Sequence, residues 1–592
     1  MQEAAPRLTT IEEFESSTRD GYADSRTSRE AKGPLPLVVG IVGHRDILAE
    51  DSPKLEAKFR QQISTLQTQY PNTEIIVISA LADGADRVGA RVALASGVRL
   101  VVPMPMPREL YLADFNPSSR IEFDALLAKA EHWFELPILS GLTAEDIATP
   151  GQNRDHQYAQ VGAYIAMHSE LLVAFWNGVP TSLEGGTAQV VEFKLHGVPV
   201  PFAPPHSELD APDSGVVIHI VTRRESEKET RGELFHVEWV YPPGFDKVAE
   251  AERAYADIYS RMEGLNQDAV SHKKLLKEGS PKSLGYLFPL EEQRVRTPML
   301  EQTAEFYSIA DVLSQYFQKR TLTAFRVILV LVFLAALSYD LYSHVFEEEW
   351  ILSMYLVMFF FSFLWHTRVA KAGFQTKYLD YRALAEGLRV QFFWRIAGIS
   401  DSVADFYMRE QKSELDWVRN AVRSSMTETI GDPGLRSTQE LPLRERLILV
   451  SKYWVEDQER YFAKAAHRDH ERLHKNEKRI TQLFGLSLLA AAIQLLLPAN
   501  PVFIIAIGLL PVIAALIHTF LQKNALMEHS KQYERMSVLF RRARIHLDKL
   551  IAEDRWSEAQ SLVAEIGKEA LSENGDWIMT HRERPLEVPK GA

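Results

Sequence analysis

Two short glycine-bearing turns in the first third of the chain have the composition of anion-holding loops. Gly84-Ala85-Asp86-Arg87 opens a helical stretch through Ala95, and Gly185-Gly186-Thr187 opens another through His196. A helix start presents unpaired backbone N–H groups and the positive end of its dipole, and glycine lets a phosphate approach closely. Other residues able to touch such a ligand lie in turns of the same kind: Gly43-His44-Arg45-Asp46, Ser79 ahead of Gly84, and Trp176-Asn177-Gly178. Arg45 and Arg87 would add charge-assisted contacts to phosphate, Thr187 would hold it, Trp176 would stack on a base, and Asp86 would cap its helix or meet a ribose. His44 is read as a polar contact or helix-entry residue rather than a base. Any one such turn is ordinarily just a tight connection, so their weight comes from where they fall together.

That placement is set by the elements before them. The runs Leu37 to Gly43, Glu74 to Ser79, Val98 to Met104, Glu170 to Trp176 and Val198 to Ala203 are rich in β-branched residues. Each precedes a small-residue turn or a helical stretch. Continuous apolar strands alternating with helices predict a doubly wound α/β domain with a parallel, Rossmann-like sheet covered on both faces. Ligands of such sheets bind at the carboxyl ends of the strands, which is where the turns lie. Val216 to Thr222 and Leu234 to Tyr241 alternate in polarity and predict an antiparallel hairpin, either at the sheet edge or as a spacer.

The 592 residues leave room for several domains, and the net charge of -13 argues against a general nucleic-acid binder. Cysteine is absent, which removes disulfides, thiolate chemistry and cysteine-based zinc sites. No metal and no required cofactor are expected. The first 33 residues are polar without an apolar core and read as a flexible lead-in rather than a signal peptide.

The segments VVGIVGHRD, SALADGADRVGARVA, HSELLVAFWNG and EGGTAQVVEF resemble the SLOG superfamily of Rossmann-like domains, over roughly Leu35 to Phe202. Its members include nucleotide-sensing domains of melastatin-type TRP channels, DprA-like proteins and phosphoribohydrolases that release cytokinin bases. The resemblance implies a nucleotide-derived ligand, ADP-ribose-like or a cyclic nucleotide, acting as a second messenger. The hydrolase branch carries PGGxGTxxE, with a Glu three residues after the Thr and an Arg on the preceding helix. Here Val190 occupies the first of those places, the nearest Glu is Glu192, and no Arg lies between Asp155 and Trp176. A sensor is therefore the leading expectation. A membrane-anchored nucleotide glycosidase using Glu192, or a scaffold binding a protein partner, stands as the alternative.

The second half is organised around apolar hairpins. Ala324 to Phe346 and Trp350 to His366 form one, and Thr481 to Leu497 and Val502 to Leu521 form the other. Arms of this kind can cross a bilayer core about 30 Å thick, although Ile351 to His366 alone is short enough for a buried core helix. Lys319, Arg320, Arg368, Lys371, Lys475, Lys478, Arg479 and Lys523 flank the hairpins at their outer ends. By the positive-inside rule those ends and both termini are cytoplasmic, which suggests a multi-pass protein of a cell inner membrane. Arg326, about a turn from the cytoplasmic end, can snorkel. Ser338, Ser362, Ser487, Gln494 and Thr519 are the polar residues noted at depth, with no evident acidic ring. Small residues favour close packing and Pro511 would bend its helix.

Helical spacing over Phe245 to Leu275 and Met299 to Lys319 predicts a stalk, the second part running directly into the membrane. After each hairpin comes a helix with the same Tyr-to-Arg spacing: Tyr381 and Arg389, then Tyr533 and Arg541. This predicts two copies of one unit. YRALAEGLR following two apolar spans resembles the SLATT family of SLOG-associated two-transmembrane effectors. That resemblance implies a pore-forming or membrane-disrupting role in bacterial anti-phage defence. The expected organisation is a lead-in (1–33), an α/β domain (34–245), a helical linker (246–320), two hairpin units (321–425, 426–550) and a helical tail (551–592). The lipid bilayer and further copies of the chain, as a homo-oligomer, are the expected partners.

Overall fold

The computed structural model describes residues 32–181, 183–203, 213–289, 295, 297–346, 348–407, 415–425, 441–497 and 500–584, so nearly all of the lead-in lies outside the described residues. The chain divides into two compact units, Met1–Leu275 with Arg409–Leu435, and Leu276–Met408 with Arg436–Ala592.

The first unit is a seven-stranded sheet in the order β4-β3-β2-β1-β5-β6-β7. Its strands are β1 (Leu37–Gly43), β2 (Ile75–Ile78), β3 (Arg99–Met104), β4 (His132–Glu135), β5 (Leu171–Trp176), β6 (Val216–Val221) and β7 (Val237–Val240). All pairs are parallel except β6 with β7. Val, Ile and Leu on β1, β2 and β5 are buried on both faces, as helices on both sides require. The helices are α1 (Ser52–Gln69), α2 (Ala85–Ala95), α3 (Arg108–Leu112), α4 (Pro117–Leu127), α5 (Gln152–His168) and α6 (Thr187–His196), followed by α7 (Val248–Ser271). The sheet order reverses at β1, which lies between β2 and β5, so a crevice opens at the carboxyl ends of β1 and β5.

Two strand assignments are corrected. Val198 to Ala203 is not a strand: Pro199 and Pro201 have no N–H to donate to a ladder, and the Pro199 carbonyl instead accepts from the Phe202 and Ala203 amides at 3.0 and 3.2 Å, forming a turn. β4 was not anticipated. It is an edge strand with only Phe134 buried, so it lacks the apolar run that marks the central strands. The predicted hairpin exists and extends the main sheet, with Val217 opposite Val240.

At the amino ends of the strands lies a buried polar cluster. Glu170 accepts from the Val38 amide at 2.6 Å, and Lys194 donates to the Ala166 carbonyl at 3.0 Å. Nearby, Asp213 pairs with both Arg419 and Arg423 of α12 (Asp416–Ser424), which packs on α7. The segment joining the two hairpins thus belongs to the sheet unit.

Among the described residues, the second unit is helical and has four helices long and apolar enough to cross a membrane. After α8 (Lys273–Leu287), which begins in the first unit, come α9 (Pro298–His344), α10 (Glu349–Ala372) and α11 (Phe374–Ala397). Then follow α13 (Leu443–Val450), a π-helical turn (Ser451–Val455), α14 (Glu456–Leu496), α15 (Pro501–Lys523), α16 (Leu526–Ala552) and α17 (Trp556–Arg582). The first stalk and the first arm are one helix, α9, capped by Thr297 with Pro298 at its first position. The short arm is not a core helix. Phe359, Phe360, Phe361 and Phe363 on α10 are each more than half exposed, whereas Ser362 among them is 3% exposed. Apolar side chains outside and a hydroxyl inside is the reverse of a soluble core and fits hydrocarbon as the surrounding solvent.

The two hairpin units superimpose in sequence without insertion. α9 ends at His344 and α14 at Leu496, a spacing of 152 residues (496 less 344). The same spacing separates the starts of α10 and α15, Glu349 and Pro501, and the starts of α11 and α16, Phe374 and Leu526. The joints Gly373 and Ala525 are both left-handed, φ 61° and 49°. Arg389 bonds the Tyr307 hydroxyl and Arg541 bonds Glu459, each across 82 residues. The repeat is therefore visible in element boundaries and in tertiary contacts.

Candidate functional site

Both predicted helix starts lie where the sequence places them, α2 after Gly84 and α6 after Gly186. The turns converge on the crevice edge through specific contacts. Gly84 sits at φ +79°, and a Cβ there would lie 2.3 Å from the Arg45 carbonyl oxygen, so only glycine lets α2 start against the loop after β1. Gly43, at the end of β1, packs against Ala85 and Phe175 with the same closeness. The Ala85 amide donates to the His44 carbonyl at 3.0 Å.

His44 ties the two central strands together. Its amide donates to the Phe175 carbonyl, and its Nε2 accepts from the Asn177 amide at 3.0 Å. Burial, with Arg224 adding, lowers its pKa to about 4, so the ring is neutral with the proton on Nδ1. Asn177 is buried, accepts from the Arg231 amide at 2.7 Å and donates to Glu227. Trp176 is half-buried with its ring 5.3 Å from His219.

Arg45 is exposed and its guanidinium lies 4.4 Å from the centre of the Tyr158 ring on α5. Tyr158 also bonds Asp114 through its hydroxyl, and a Cβ on Gly185 would meet it at 2.7 Å. Tyr158 therefore joins the β1 loop to the start of α6. Sequence reasoning missed it because helix α5 has no glycine signal and Tyr158 stands on it as one aromatic among core residues. Gly185 donates its amide to Gln189, and Gly186 and Thr187 begin α6.

Asp86 lies in the first turn of α2, buried, with burial raising its pKa to about 7. It accepts from the Ala82 amide, while Gly84 holds the N-cap position without a side-chain cap. Ser79 is buried and donates to the Asp86 carbonyl. Arg87 points into the domain. It donates to the Leu81 and Ser119 carbonyls at 3.1 and 2.9 Å, pairs with Asp83 and Glu122, and lies over Phe115; its Nη2 is buried without a partner among the described residues. Arg45 is thus the arginine at the open edge, and Arg87 braces the loop from within.

The hydrolase positions have clear occupants. Val190 is buried against Gly162, where an added Cβ would lie 2.5 Å from it. Glu192 is exposed and pairs with His196 at 2.9 Å. Arg154, just before Asp155, does stand on α5, but its guanidinium is buried and bonded to Asp114 and to the Ile147 and Leu110 carbonyls.

The helical unit holds a second feature, a cavity of about 760 Å³ lined by α8, α9, α11, the π-helical turn, α14, α15, α16 and α17. Several of its charged groups have partners: Asp311 accepts from Ser283 and Gln315, and Glu386 lies 3.6 and 3.5 Å from Arg382 and Arg389. Burial, with Glu386 adding, raises the pKa of Glu573 to about 8.

Residues 304–416 match the SMODS and SLOG-associating 2TM effector domain 3. The match runs from the first turns of α9 through both arms of the first hairpin and all of α11. It marks that unit as a membrane effector domain of the two-transmembrane kind. The second hairpin unit lies outside the match and shares its element boundaries. Comparison with curated proteins finds no match.

Proposed function

We propose that the chain is a ligand-controlled membrane effector of a defence system. The sheet unit binds a nucleotide-derived second messenger at the crevice between β1 and β5. The four spanning helices, assembled from several copies of the chain, then permeabilise a cell membrane. The observation that carries this reading is the joining, in one chain, of a two-transmembrane effector domain to a Rossmann-like sheet with two glycine-led helix starts at its switch point. The effector domain's description names association with SLOG domains, which agrees with the resemblance of VVGIVGHRD and EGGTAQVVEF to that superfamily.

In this reading the amino ends of α2 and α6 and the Arg45 guanidinium receive phosphate, and Trp176 or Tyr158 faces the base. The glycosidase alternative gains nothing from Glu192, which is engaged with His196. Calorimetric titration of the full-length protein in detergent with ADP-ribose, NAD, AMP and cyclic oligonucleotides tests the sensor. Binding of at least one, weakened by Arg45→Ala, is expected. No heat with any of them removes the basis for the assignment.

A further inference from the structure

The spanning arms contain one acidic residue. Among Ala324 to Phe346, Trp350 to His366, Thr481 to Leu497 and Val502 to Leu521, only Asp340 is an Asp or Glu. An ionisable group in this position is costly to keep and marks function unless it is fully paired.

Asp340 is not fully paired. It lies four residues before the end of α9, and its side chain is 14% exposed. Oδ1 is 3.1 Å from Nδ1 of His344, the titratable group beside it, while Oδ2 is buried with no partner among the described residues. Across from it on α15 is Gly508, where a Cβ would lie 3.1 Å from Oδ1, so glycine gives the carboxylate its room.

The backbone next to Gly508 is also unusual. Pro511 lies inside α15 and has no N–H, so the Ile507 carbonyl four residues earlier loses its helical donor. Ser487 of α14 donates to that carbonyl at 3.2 Å. The carboxylate on α9 and the hydroxyl on α14 therefore meet α15 at two adjacent residues, Gly508 and Ile507, the second of which carries the freed carbonyl. Such hard oxygen donors, including carbonyls released from a helix, are the ligands that dehydrated alkali cations take in membrane proteins.

We propose that Asp340, with the Ile507 carbonyl and the Ser487 hydroxyl, forms a binding site for a monovalent alkali cation within the membrane domain. The carboxylate supplies the charge, and the Pro511 interruption supplies a carbonyl that an intact helix would withhold. The inference rests on the membrane-effector reading only in setting these helices in a bilayer, and its test reads binding rather than flux.

The full-length protein in liposomes is treated at fixed pH with dicyclohexylcarbodiimide, which modifies carboxyls in apolar surroundings. Peptide mass analysis then follows the adduct on Asp340. The expected result is modification of Asp340 that sodium or potassium slows several-fold against an N-methylglucamine control of equal ionic strength. Ser487→Ala weakens that protection, and Asp340→Asn abolishes the adduct. An unmodified Asp340, or one modified at the same rate in every salt, overturns the proposal. Ser487→Ala keeps the test valid if Asp340→Asn does not insert. Protection by cation without any ligand-driven flux would leave this site standing while sinking the gating account.

Discussion

His44 shows how a residue with catalytic chemistry can be committed to architecture. Its Nε2 accepts the Asn177 amide across the β1–β5 junction, an arrangement only the neutral ring can make. The folded-state pKa is about 4 against an ordinary 6.5, so between those values the unfolded chain binds more protons than the folded one. Stability from this group is intact above about pH 6.5 and is lost as pH falls towards 4. His44→Gln keeps an acceptor without the proton uptake, and its melting temperature, measured in detergent from pH 7 to 4, should fall less steeply than that of the parent chain. Gly84→Ala should lower the melting temperature at every pH, by an amount equivalent to about 1–3 kcal/mol, because it combines a left-handed φ with a clash against the Arg45 carbonyl. Arg45→Ala, at an exposed position, should leave stability nearly unchanged and weaken nucleotide binding by about tenfold, the worth of one charge-assisted contact. The glycines and Arg45 were legible from sequence because turn chemistry is local. The inward direction of Arg87 was not, because it depends on Phe115, Ser119 and Glu122, which are distant in sequence.

Among the elements, α12 carries the account's coupling argument. It lies between the two hairpin units in sequence, yet it folds onto α7 of the sheet unit and is held by Asp213, which receives both Arg419 and Arg423. The chain passes from one hairpin unit to the next through a segment that belongs to the sheet unit. Asp213→Asn leaves two guanidinium groups without their shared carboxylate in a mostly buried site, at a cost of about 3 kcal/mol. Amide hydrogen exchange over residues 415–425 should accelerate in that variant, while exchange in β1 and β5 stays slow. Unchanged exchange would mean that α12 is held by its apolar face alone. Helix starts at Gly84 and Gly186, the β6–β7 hairpin and the long α9 were readable from turns and periodicity. β4 has no sequence signature because an edge strand needs only one buried residue, and Val198 to Ala203 has the valines of a strand but two prolines that cannot donate to a ladder.

At the scale of the whole molecule, the repeat makes the helical unit a tandem of two related hairpins around a shared cavity, with apolar arms turned outward. The tandem was legible from the Tyr-to-Arg spacing, and the coincidence of helix ends at one constant offset strengthens it. The cavity was not legible, since its walls come from several helices far apart in sequence whose packing no local pattern specifies. The central claim is that ligand at the sheet crevice changes the permeability of this helical unit. Its most direct measurement is potassium efflux from liposomes containing the full-length protein, with and without each nucleotide that titration shows to bind. The account predicts efflux that rises on adding such a nucleotide and disappears in Arg45→Ala. Liposomes that stay impermeable with every bound nucleotide would contradict it and leave the four helices as an anchor.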